Sequence, residues 1–333
     1  MACLSCASEQ ISTHARLVYA FKDLKSSAFL CKIPYMSEKN KGNLLLFLTA
    51  VLWGTGFISQ KLGNEVMPPM TFNAVRQLMA SVVLTPVVMR GLRTSGYFSP
   101  KVSSREQIEF RKKRLLKAGV LCGLFMLIGT ATQQIGLLTV SAGKSGFISS
   151  IYIVFTPLFS VIVGSKVNRR TVLCIALAIF GFGVMSLQGG LGGATAGDWL
   201  TLCSAAGFAA QIVAVNCFVD KDNAVLISQA QFFFCGIAGL VIAIIAEGPT
   251  LAALLAGVPV LLYQTFVPTA GGYTLQIVGQ RYTDSSTAAL IMSLESVFAM
   301  IFGAIFLHEV MSAREIAGAG IIFAATILGQ KNS

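Results

Sequence analysis

Long apolar runs alternate with short polar segments along most of the chain. A helix needs about 20 mostly apolar residues to cross the roughly 30 Å hydrocarbon core of a bilayer. Because lipid offers the backbone no hydrogen-bonding partners, each isolated run is predicted to be a helix. The runs predict ten membrane spans: Asn43–Leu62, Thr71–Val88, Leu115–Leu137, Lys144–Gly164, Thr171–Leu187, Trp199–Val219, Val225–Ala246, Val258–Val278, Ser285–Phe306 and Ala313–Leu328.

The composition supports a membrane location for these helices. Hydrophobic residues make up 55% of the 333 residues and charged residues only 12%, with a mean hydropathy of +0.74. A typical soluble domain is about 25% charged, so this chain has too few charges to coat a soluble globule. Most soluble enzymes and disordered proteins are thereby excluded. The net charge of +11 does not indicate nucleic acid, because the basic residues cluster between the apolar runs.

The basic residues also predict an orientation. If the amino terminus is cytoplasmic, the inside segments carry 17 Lys and Arg residues and the outside segments carry only Lys61, Lys144 and Arg314. Cytoplasmic loops of membrane proteins carry such an excess of positive charge. Both termini and the loop from Arg90 to Lys117 are therefore expected in the cytoplasm, in a multi-pass protein of the plasma or inner membrane with the lipid bilayer around it.

Residues 1–42 are expected to form a cytoplasmic tail. Residues 1–35 are mixed, polar and Cys-containing, with no apolar core long enough for a signal peptide. Met36 is followed by polar residues and then by the first span, as a natural amino terminus would be. The hypothesis is that residues 1–35 are a disordered tail or not part of the native protein. Cys3 and Cys6 form one C-x-x-C without a second pair, so neither a metal site nor a cofactor is expected.

A weak internal repeat relates the two halves of the chain. A shift of 139 residues aligns Thr156–Ser160 with Glu295–Ala299, and Gly181 with Gly320. Five spans per unit is an odd number, which inverts the second unit relative to the first. The predicted fold is therefore an all-α polytopic membrane protein, with ten transmembrane helices in two inverted repeats at 43–187 and 198–329. Such repeats place a substrate site at their interface, near the middle of the bilayer.

Three groups of residues stand out along the chain. They are Ala50–Phe57 with Pro69, Phe72 and Arg76; Ser141–Ile148 with Phe155–Pro157; and Ala288–Phe298 with Leu307–Glu309 and Gly318. In this order and spacing they resemble the EamA repeat of the drug/metabolite transporter superfamily. One departure is Ser296, which stands where that family often has proline.

This resemblance implies a permease that works by alternating access, with spans one, three, four, six, eight and nine around a central cavity. It implies a secondary-active transporter of a small polar metabolite such as an amino acid, another metabolite or a drug, coupled to a proton or sodium ion or to exchange. A multi-pass receptor or scaffold and a membrane-embedded enzyme are the alternatives. An enzyme is disfavoured because the chain has only two histidines, one of them in the tail. The oligomeric state stays open.

Glu295 is the sharpest candidate for a functional residue. It lies ten residues into the ninth predicted span, about 15 Å along a helix and so near the middle of the bilayer. A carboxylate there costs at least about 2.5–3.5 kcal/mol and normally faces a protein interior or a wet cavity. It is interpreted as a substrate contact or a proton-coupling group, with a neutral packing carboxyl as an equal alternative.

The other binding candidates are a lysine, four glutamines and a tryptophan. Lys144 begins the fourth span, where a cation opposes the helix dipole, and it either binds an anionic group or extends to the interface. The glutamines lie on spans that the resemblance places around the cavity, where amides either bind a polar substrate or hold helices together. Trp53 either stacks on a substrate or packs. The glutamines are Gln133, Gln134, Gln211 and Gln264.

Structural roles are expected for a further group of residues. Arg76 is expected to pair with a helix end or extend to the interface, and Glu309 to pair with Arg314. His308 beside Glu309 lacks the further ligands of a metal site. Close helix packing or helix shaping is expected at Pro157, Gly181 and Gly320.

Overall fold

The computed structural model describes residues 37–164, 169–187, 194–220 and 223–330. The contacts divide the chain into two units, Met1–Lys41 and Gly42–Ser333. Of the first unit only residues 37–41 are described, and they begin a helix. Met36, Cys3 and Cys6 lie outside the described residues, so the hypotheses about them stay predictions. The account below concerns the second unit.

The regular elements of the described residues are helical, as predicted. Residues 161–163 add a short 3₁₀ turn, and residues 265–273 form a π-helix. The α-helices are α1 (Glu38–Val66), α2 (Pro69–Ser95), α3 (Arg105–Gly136), α4 (Ala142–Ser149), α5 (Tyr152–Ser160), α6 (Arg169–Ser186), α7 (Ala196–Phe218), α8 (Ala224–Ala246), α9 (Leu251–Ala256), α10 (Val258–Gln264), α11 (Thr274–Gln280), α12 (Ser285–Met292), α13 (Glu295–Phe306) and α14 (Ala313–Gln330).

Among the described residues, seven helical stretches are long and apolar enough to cross a membrane: α1, α2, α3, α4 with α5, α7, α8, and α12 with α13. The chain is therefore an integral multi-pass membrane protein. The fifth, eighth and tenth predicted spans coincide with α6, with the run from α10 through the π-helix to α11, and with α14. The count of ten spans stays a prediction, as does the orientation.

Two of the membrane-length helices are broken in the same way. In each, an eight-residue helix with a side-chain cap at its start ends at a serine, Ser150 after α4 and Ser293 after α12. Each serine hydroxyl donates to the carbonyl three residues before it, at 2.7 Å in both cases. A hydroxyl bonded to this carbonyl competes with the helical pattern, so the chain makes a turn before the next helix starts.

The positions of these breaks define the relation between the two halves. Ala142 and Ser285, the first residues of α4 and α12, are 143 positions apart, and so are Tyr152 and Glu295, the first residues of α5 and α13. The offset at the breaks is therefore 143, one helical turn longer than the expected 139.

The two broken helices cross each other in a symmetric manner, α4 against α13 and α5 against α12. The hydroxyls of Ser160 and Ser285 lie 3.3 Å apart. At the offset of 143, Ser160 corresponds to Gly303 and Ser285 to Ala142. These two residues form the matching contact, since a Cβ built on Gly303 would lie 3.6 Å from the Cβ of Ala142. Small residues at both contacts let the helices approach closely.

The expectation of glycine packing is met at one position and is wrong at another. A Cβ on Gly181 of α6 would lie 3.0 Å from the carbonyl oxygen of Gly318 on α14, so these two helices approach through their glycines. A Cβ on Gly320 would meet nothing within 4 Å, because that position is on an exposed face of α14. Pro157 lies inside α5, one turn after the break.

Proline also accompanies the π-helix. Pro268 lies inside it and has no N–H to donate to the helical pattern. Its carbonyl accepts a hydrogen bond from Trp53 Nε1 of α1 at 3.2 Å. Gly272 has no Cβ, and one built there would lie 2.7 Å from the indole nitrogen. The irregular helix therefore gives the Trp53 ring a fixed place, which helps to form the site described next.

Candidate functional site

A small, largely buried cavity lies where α1, α2, α3, α5, α7, α10, the π-helix and α13 meet. Its free space of about 30 Å³ is room for roughly two water molecules. The resemblance implied a cavity between spans one, three, four, six, eight and nine. The structure adds the second span, α2, which contributes Arg76. The polar and charged side chains that line the cavity are Gln60, Arg76, Gln133, Gln211, Gln264 and Glu295, and the aromatic ones are Trp53, Phe57, Tyr152, Phe208 and Tyr273.

Glu295 occupies the break in the second broken helix. It is the first residue of α13 and only 4% exposed. The carboxyl follows directly on the turn, across which the backbone N–H groups of Ser296 and Val297 donate to the carbonyls of Ser293 and Leu294 at 3.1 and 3.0 Å. The side chain of Tyr152, the first residue of α5, lies beside the carboxyl and interacts with it. The two helix breaks thus deliver a carboxyl and a phenol to the same cavity.

Arg76 lies in the cavity wall, so the expectation that it pairs with a helix end or extends to the interface is wrong. It is 2% exposed, and its Nε and Nη2 donate to Asn73 Oδ1 at 3.1 and 2.9 Å. With the Gln264 amide oriented by its surroundings, the amide oxygen accepts from Arg76 Nη1 while its nitrogen donates to Ser59 Oγ. Among the described residues, the side chains that accept hydrogen bonds from this guanidinium are therefore all neutral.

Trp53 has a fixed orientation in the cavity wall. Besides its bond to the π-helix, its ring lies 4.7 Å from that of Tyr273, measured between centroids. Tyr273 in turn packs against Phe232 of α8. These contacts hold an aromatic face against the cavity before any ligand is present, so both interpretations of Trp53, stacking and packing, agree with its position.

Gln211 connects the cavity to a chain of buried amides. Its Nε2 donates to Gln231 at 3.0 Å, and its Oε1 accepts from Gln276 at 3.0 Å. Gln276 also donates to Gln280, whose own amide donates to the carbonyl of Ile212. Gln211 therefore lines the cavity and also joins α7 to α8 and α11. Its position is compatible with both expected roles, binding a polar substrate and holding helices together.

The adjacent glutamines of α3 point to different partners. Gln133 lines the cavity and donates to Ser149 Oγ of α4 at 2.9 Å. Gln134 is buried outside the cavity lining and donates to the Gln60 carbonyl and to Asn64 Oδ1 of α1, at 2.9 and 2.8 Å. Gln134 thus holds helices together. Gln133 is placed both to contact a ligand in the cavity and to hold α3 against α4.

Lys144 is separate from the cavity lining. Its Nζ forms an ion pair with Asp198 at 2.8 Å, and the side chains are 14% and 0% exposed. Asp198 also accepts from the backbone and hydroxyl of Thr195 in a capping box at the start of α7. A protein carboxylate therefore binds this cation, in place of the expected anionic ligand or the membrane interface.

Glu309 pairs with Lys61 at 2.9 Å, so the expected pair with Arg314 is wrong. Glu309 also accepts from the backbone N–H of Ala142 at 2.7 Å, at the start of α4. Arg314 instead donates to the carbonyls of Val184 in the last turn of α6 and of Leu187 just after it, at 2.7 and 2.8 Å. Glu309 thereby joins three segments at the end of the bundle where α1 and α3 finish.

Sequence reasoning missed three cavity side chains that carry a polar group. Gln60, Tyr152 and Tyr273 stand in apolar runs and look like packing residues there. The signal that could have identified Tyr152 is the repeat, since the offset of 143 places it opposite Glu295. No local pattern marked Gln60 or Tyr273.

Comparisons with known proteins agree with the fold and the earlier resemblance. The model of the EamA-like transporter family matches residues 40–187 and 195–329. A protein of Archaeoglobus fulgidus named as an uncharacterized transporter is 31% identical over 291 residues, covering 86% of this chain and 84% of its own. A Clostridium kluyveri protein with the same name is 22% identical over 307 residues, covering 88% and 94%. A solved crystal structure, 14% identical, aligns with a TM-score of 0.58 over 88% of this chain and 98% of its own, which shows a shared fold.

Proposed function

The chain belongs to the EamA-like transporter family, and on this premise we propose that it is a secondary-active transporter of a small polar metabolite. It works by alternating access in a cell membrane, with both termini in the cytoplasm. We propose ten transmembrane helices in two inverted five-helix repeats, at 43–187 and 198–329, and no enzymatic activity. The observation that carries the proposal is the small, largely buried polar cavity at the two helix breaks.

The cavity has the properties of a substrate site in its occluded form. Burying Arg76 and Glu295 in the membrane costs free energy that packing alone does not require. Alternating access places its site between the repeats and closes it in turn toward each side. With free space of about 30 Å³, the cavity is too small for a metabolite, so one end must open for substrate to bind.

The end of the bundle where α1 and α3 finish is the proposed outer closure. Two ion pairs join the proposed repeats there, Lys61 with Glu309 and Lys144 with Asp198. Both are partly or fully buried, so they hold the helices together more firmly than exposed pairs would. Outward opening requires at least the first pair to separate. Glu295 is the proposed coupling group, which exchanges a proton or binds a sodium ion during the cycle.

Exchange in liposomes tests this function directly. Purified full-length protein is reconstituted with a metabolite extract inside, and isotope-labelled extract is added outside. We expect time-dependent accumulation of labelled compounds that protein-free liposomes do not show. Failure to exchange any compound, by protein that is monodisperse and folded, would contradict the proposal.

A further inference from the structure

We propose that the ends of α2 and α3 opposite the proposed outer closure form a binding surface for anionic phospholipids of the inner leaflet. Two cations on each helix contact the lipid phosphates, Arg90 and Arg93 on α2 and Lys113 and Lys117 on α3. This surface lies apart from the cavity. It relies on the orientation proposed above but not on the substrate or on transport itself.

The cations at the two ends of the bundle differ in their partners. At the proposed outer end, Lys61 and Lys144 pair with carboxylates and Arg314 donates to backbone carbonyls. Residues 90–117 carry nine Lys and Arg but only two Glu. Within the described parts of the chain, two of these nine cations form ion pairs, which leaves seven without a carboxylate partner there. The seven are Arg90, Arg93, Lys101, Arg105, Arg111, Lys113 and Lys117.

Lys113 and Lys117 continue the lipid-facing side of α3. Exposed apolar side chains of this helix include Leu121, Leu124 and Ile128, which are 42%, 44% and 49% exposed. Their spacing of three and four residues places them on one face of the helix. Lys117 and Lys113 stand four and eight residues before Leu121 on the same face, and both are exposed. The face that contacts lipid tails therefore ends in two cations.

The same pattern is present at the end of α2. Val82 and Met89 are 70% and 48% exposed, and Pro86 between them is also exposed. Arg90 follows Pro86 by four residues and Arg93 follows Met89 by four, so both arginines continue this face. Both are exposed. Since α8 packs against α2 and α3 alike, it holds the ends of these two helices near each other.

The cations lie at the depth of the lipid headgroups. At about 1.5 Å per residue, Arg90 and Arg93 stand about 3 and 8 Å beyond Val88, the predicted end of the second span. Lys113 stands about 3 Å before Leu115, the predicted start of the third span. The headgroup layer adds about 5–8 Å on each side of the hydrocarbon core, so the lipid phosphates are within reach of these side chains.

A folded loop fixes the ends of the two helices. Tyr97 is buried and packs against Val88 of α2 and Leu226 of α8. The guanidinium of Arg111 lies 4.6 Å from the centroid of the Tyr97 ring. Arg111 also donates to the Tyr97 carbonyl at 2.6 Å and to Ser103 Oγ at 3.0 Å. The surface is therefore formed before any lipid binds, which lowers the ordering cost of binding.

The position of the charges favours a lipid over a soluble anion. Basic segments next to membrane spans are attracted to anionic headgroups, and each additional cation strengthens the attraction. Phe110, seven residues before Lys117, lies on the same face of α3 and is 66% exposed. Apolar side chains among cations are typical of surfaces that lie against a membrane. A soluble anion would use the cations and leave Phe110 in water.

Lipid-dependent unfolding tests this surface without a substrate. Full-length protein is purified in detergent and mixed with phosphatidylglycerol or with phosphatidylcholine of the same acyl chains, and its unfolding temperature is measured. Because a ligand that binds only the folded state stabilises it by mass action, we expect phosphatidylglycerol to raise this temperature by about 3–5 °C more than phosphatidylcholine does. Equal shifts with the two lipids would overturn the proposal.

Two double variants assign the effect to the proposed cations. Arg93→Gln with Lys113→Gln removes one cation from each helix and should lose about half or more of the shift specific to phosphatidylglycerol. Lys101→Gln with Arg105→Gln is the matched control, since it removes the same charge from the same segment, with Arg105 about 15 Å before Leu115. This control should keep most of the shift. Equal losses in the two double variants would indicate long-range attraction to the net charge and would contradict a headgroup surface.

Further measurements separate charge from structure and lipid from soluble anion. Arg93→Lys with Lys113→Arg keeps both charges and should keep the shift, whereas its loss would contradict binding by charge. If the double glutamine variant does not fold, Arg90→Gln and Lys117→Gln, made singly, should each lose part of the shift, and no loss in either would refute the proposal. Inorganic phosphate at the same concentration should leave the unfolding temperature unchanged. If phosphate reproduces the shift, the cations bind a soluble anion and the lipid surface is wrong.

Discussion

The broken helix α4–α5 and the broken helix α12–α13 have the same construction and different chemistry. Each begins with a capped helix of eight residues, and each is interrupted by a serine that bonds back to the preceding turn. At offset 143, however, Tyr152 stands where the second has Glu295. The framework is thus shared by both halves, while the carboxyl at the break is present in only one of them.

The largest expected effect comes from removing that asymmetry at Glu295. Glu295→Gln keeps the shape and the hydrogen-bonding capacity but removes the negative charge. We expect a loss of about 10–100-fold in transport rate, because the neutral amide forms weaker hydrogen bonds than a charged carboxylate and does not titrate, while the protein still inserts and folds. Initial rates in liposomes and thermal unfolding in detergent measure the two properties.

Tyr152→Phe is the matched control on the other broken helix. It removes a hydroxyl beside the Glu295 carboxyl and should reduce the rate only a few-fold. Wild-type rates for Glu295→Gln with unchanged unfolding would eliminate Glu295 from the mechanism. Loss of both rate and stability would instead favour a packing role.

The next effect concerns the crossing of the two broken helices. Gly146 of α4 lies against α13, and a Cβ built there would be 2.8 Å from Ala299 Cβ and 3.2 Å from the Ser296 Cα. Since the backbone must shift to admit a methyl group, Gly146→Ala should destabilise the protein by about 1–3 kcal/mol. Its counterpart at offset 143 is already an alanine, Ala289.

Gly320→Ala is the control for this substitution. A Cβ there meets nothing within 4 Å, and alanine is the better helix former, so stability should be unchanged or slightly raised. Both variants are compared by thermal unfolding of purified protein. Equal stability of the two would show that α4 and α13 separate more easily than their contact implies.

The sequence predicts those features of the fold and site that depend on residues close together in the chain. It does not predict those that depend on contacts between distant helices. The helices follow from local hydrophobic length, and the depth of Glu295 follows from counting along one run. The same counting could not tell Gln133 from Gln134, because adjacent residues face different neighbours and the neighbours come from other helices.

The incorrect expectations have the same cause. Glu309 has a nearby arginine in the sequence, but its partner is Lys61, from a helix at the other end of the chain. Gly320 belongs to a run with two other glycines, and only the packed structure reveals that it faces outward. Arg76 looked like an interfacial cation because local rules cannot identify which helices enclose it.

A smaller effect is expected at the proposed outer closure, where α4 begins. Among the described residues, no ion pair is formed at the start of α12. Asp198→Asn leaves Lys144 partly buried without its counter-ion and should destabilise the protein by about 1–2 kcal/mol, less than for a fully buried pair. Glu109→Gln, which breaks the exposed pair with Lys112, should leave the unfolding temperature unchanged. A similar response of the two variants would mean that the Lys144 pair contributes no more than a surface contact.

The smallest effect separates the two adjacent glutamines of α3. Gln133 binds Ser149 at the end of α4, and the counterpart of Ser149 at offset 143 is Met292, which has no hydroxyl to offer. Gln133→Ala should lower transport a few-fold, since it removes an amide that lines the cavity. Gln134→Ala should lower stability by about 0.6–1 kcal/mol, the value of an interhelical hydrogen bond in membrane proteins, and leave transport unchanged. Transport rates per folded protein and unfolding temperatures of both variants decide the matter. If Gln134→Ala lowers transport as much as Gln133→Ala, position in the cavity is not what distinguishes the glutamines, and the asymmetry between the broken helices is less important than Glu295 suggests.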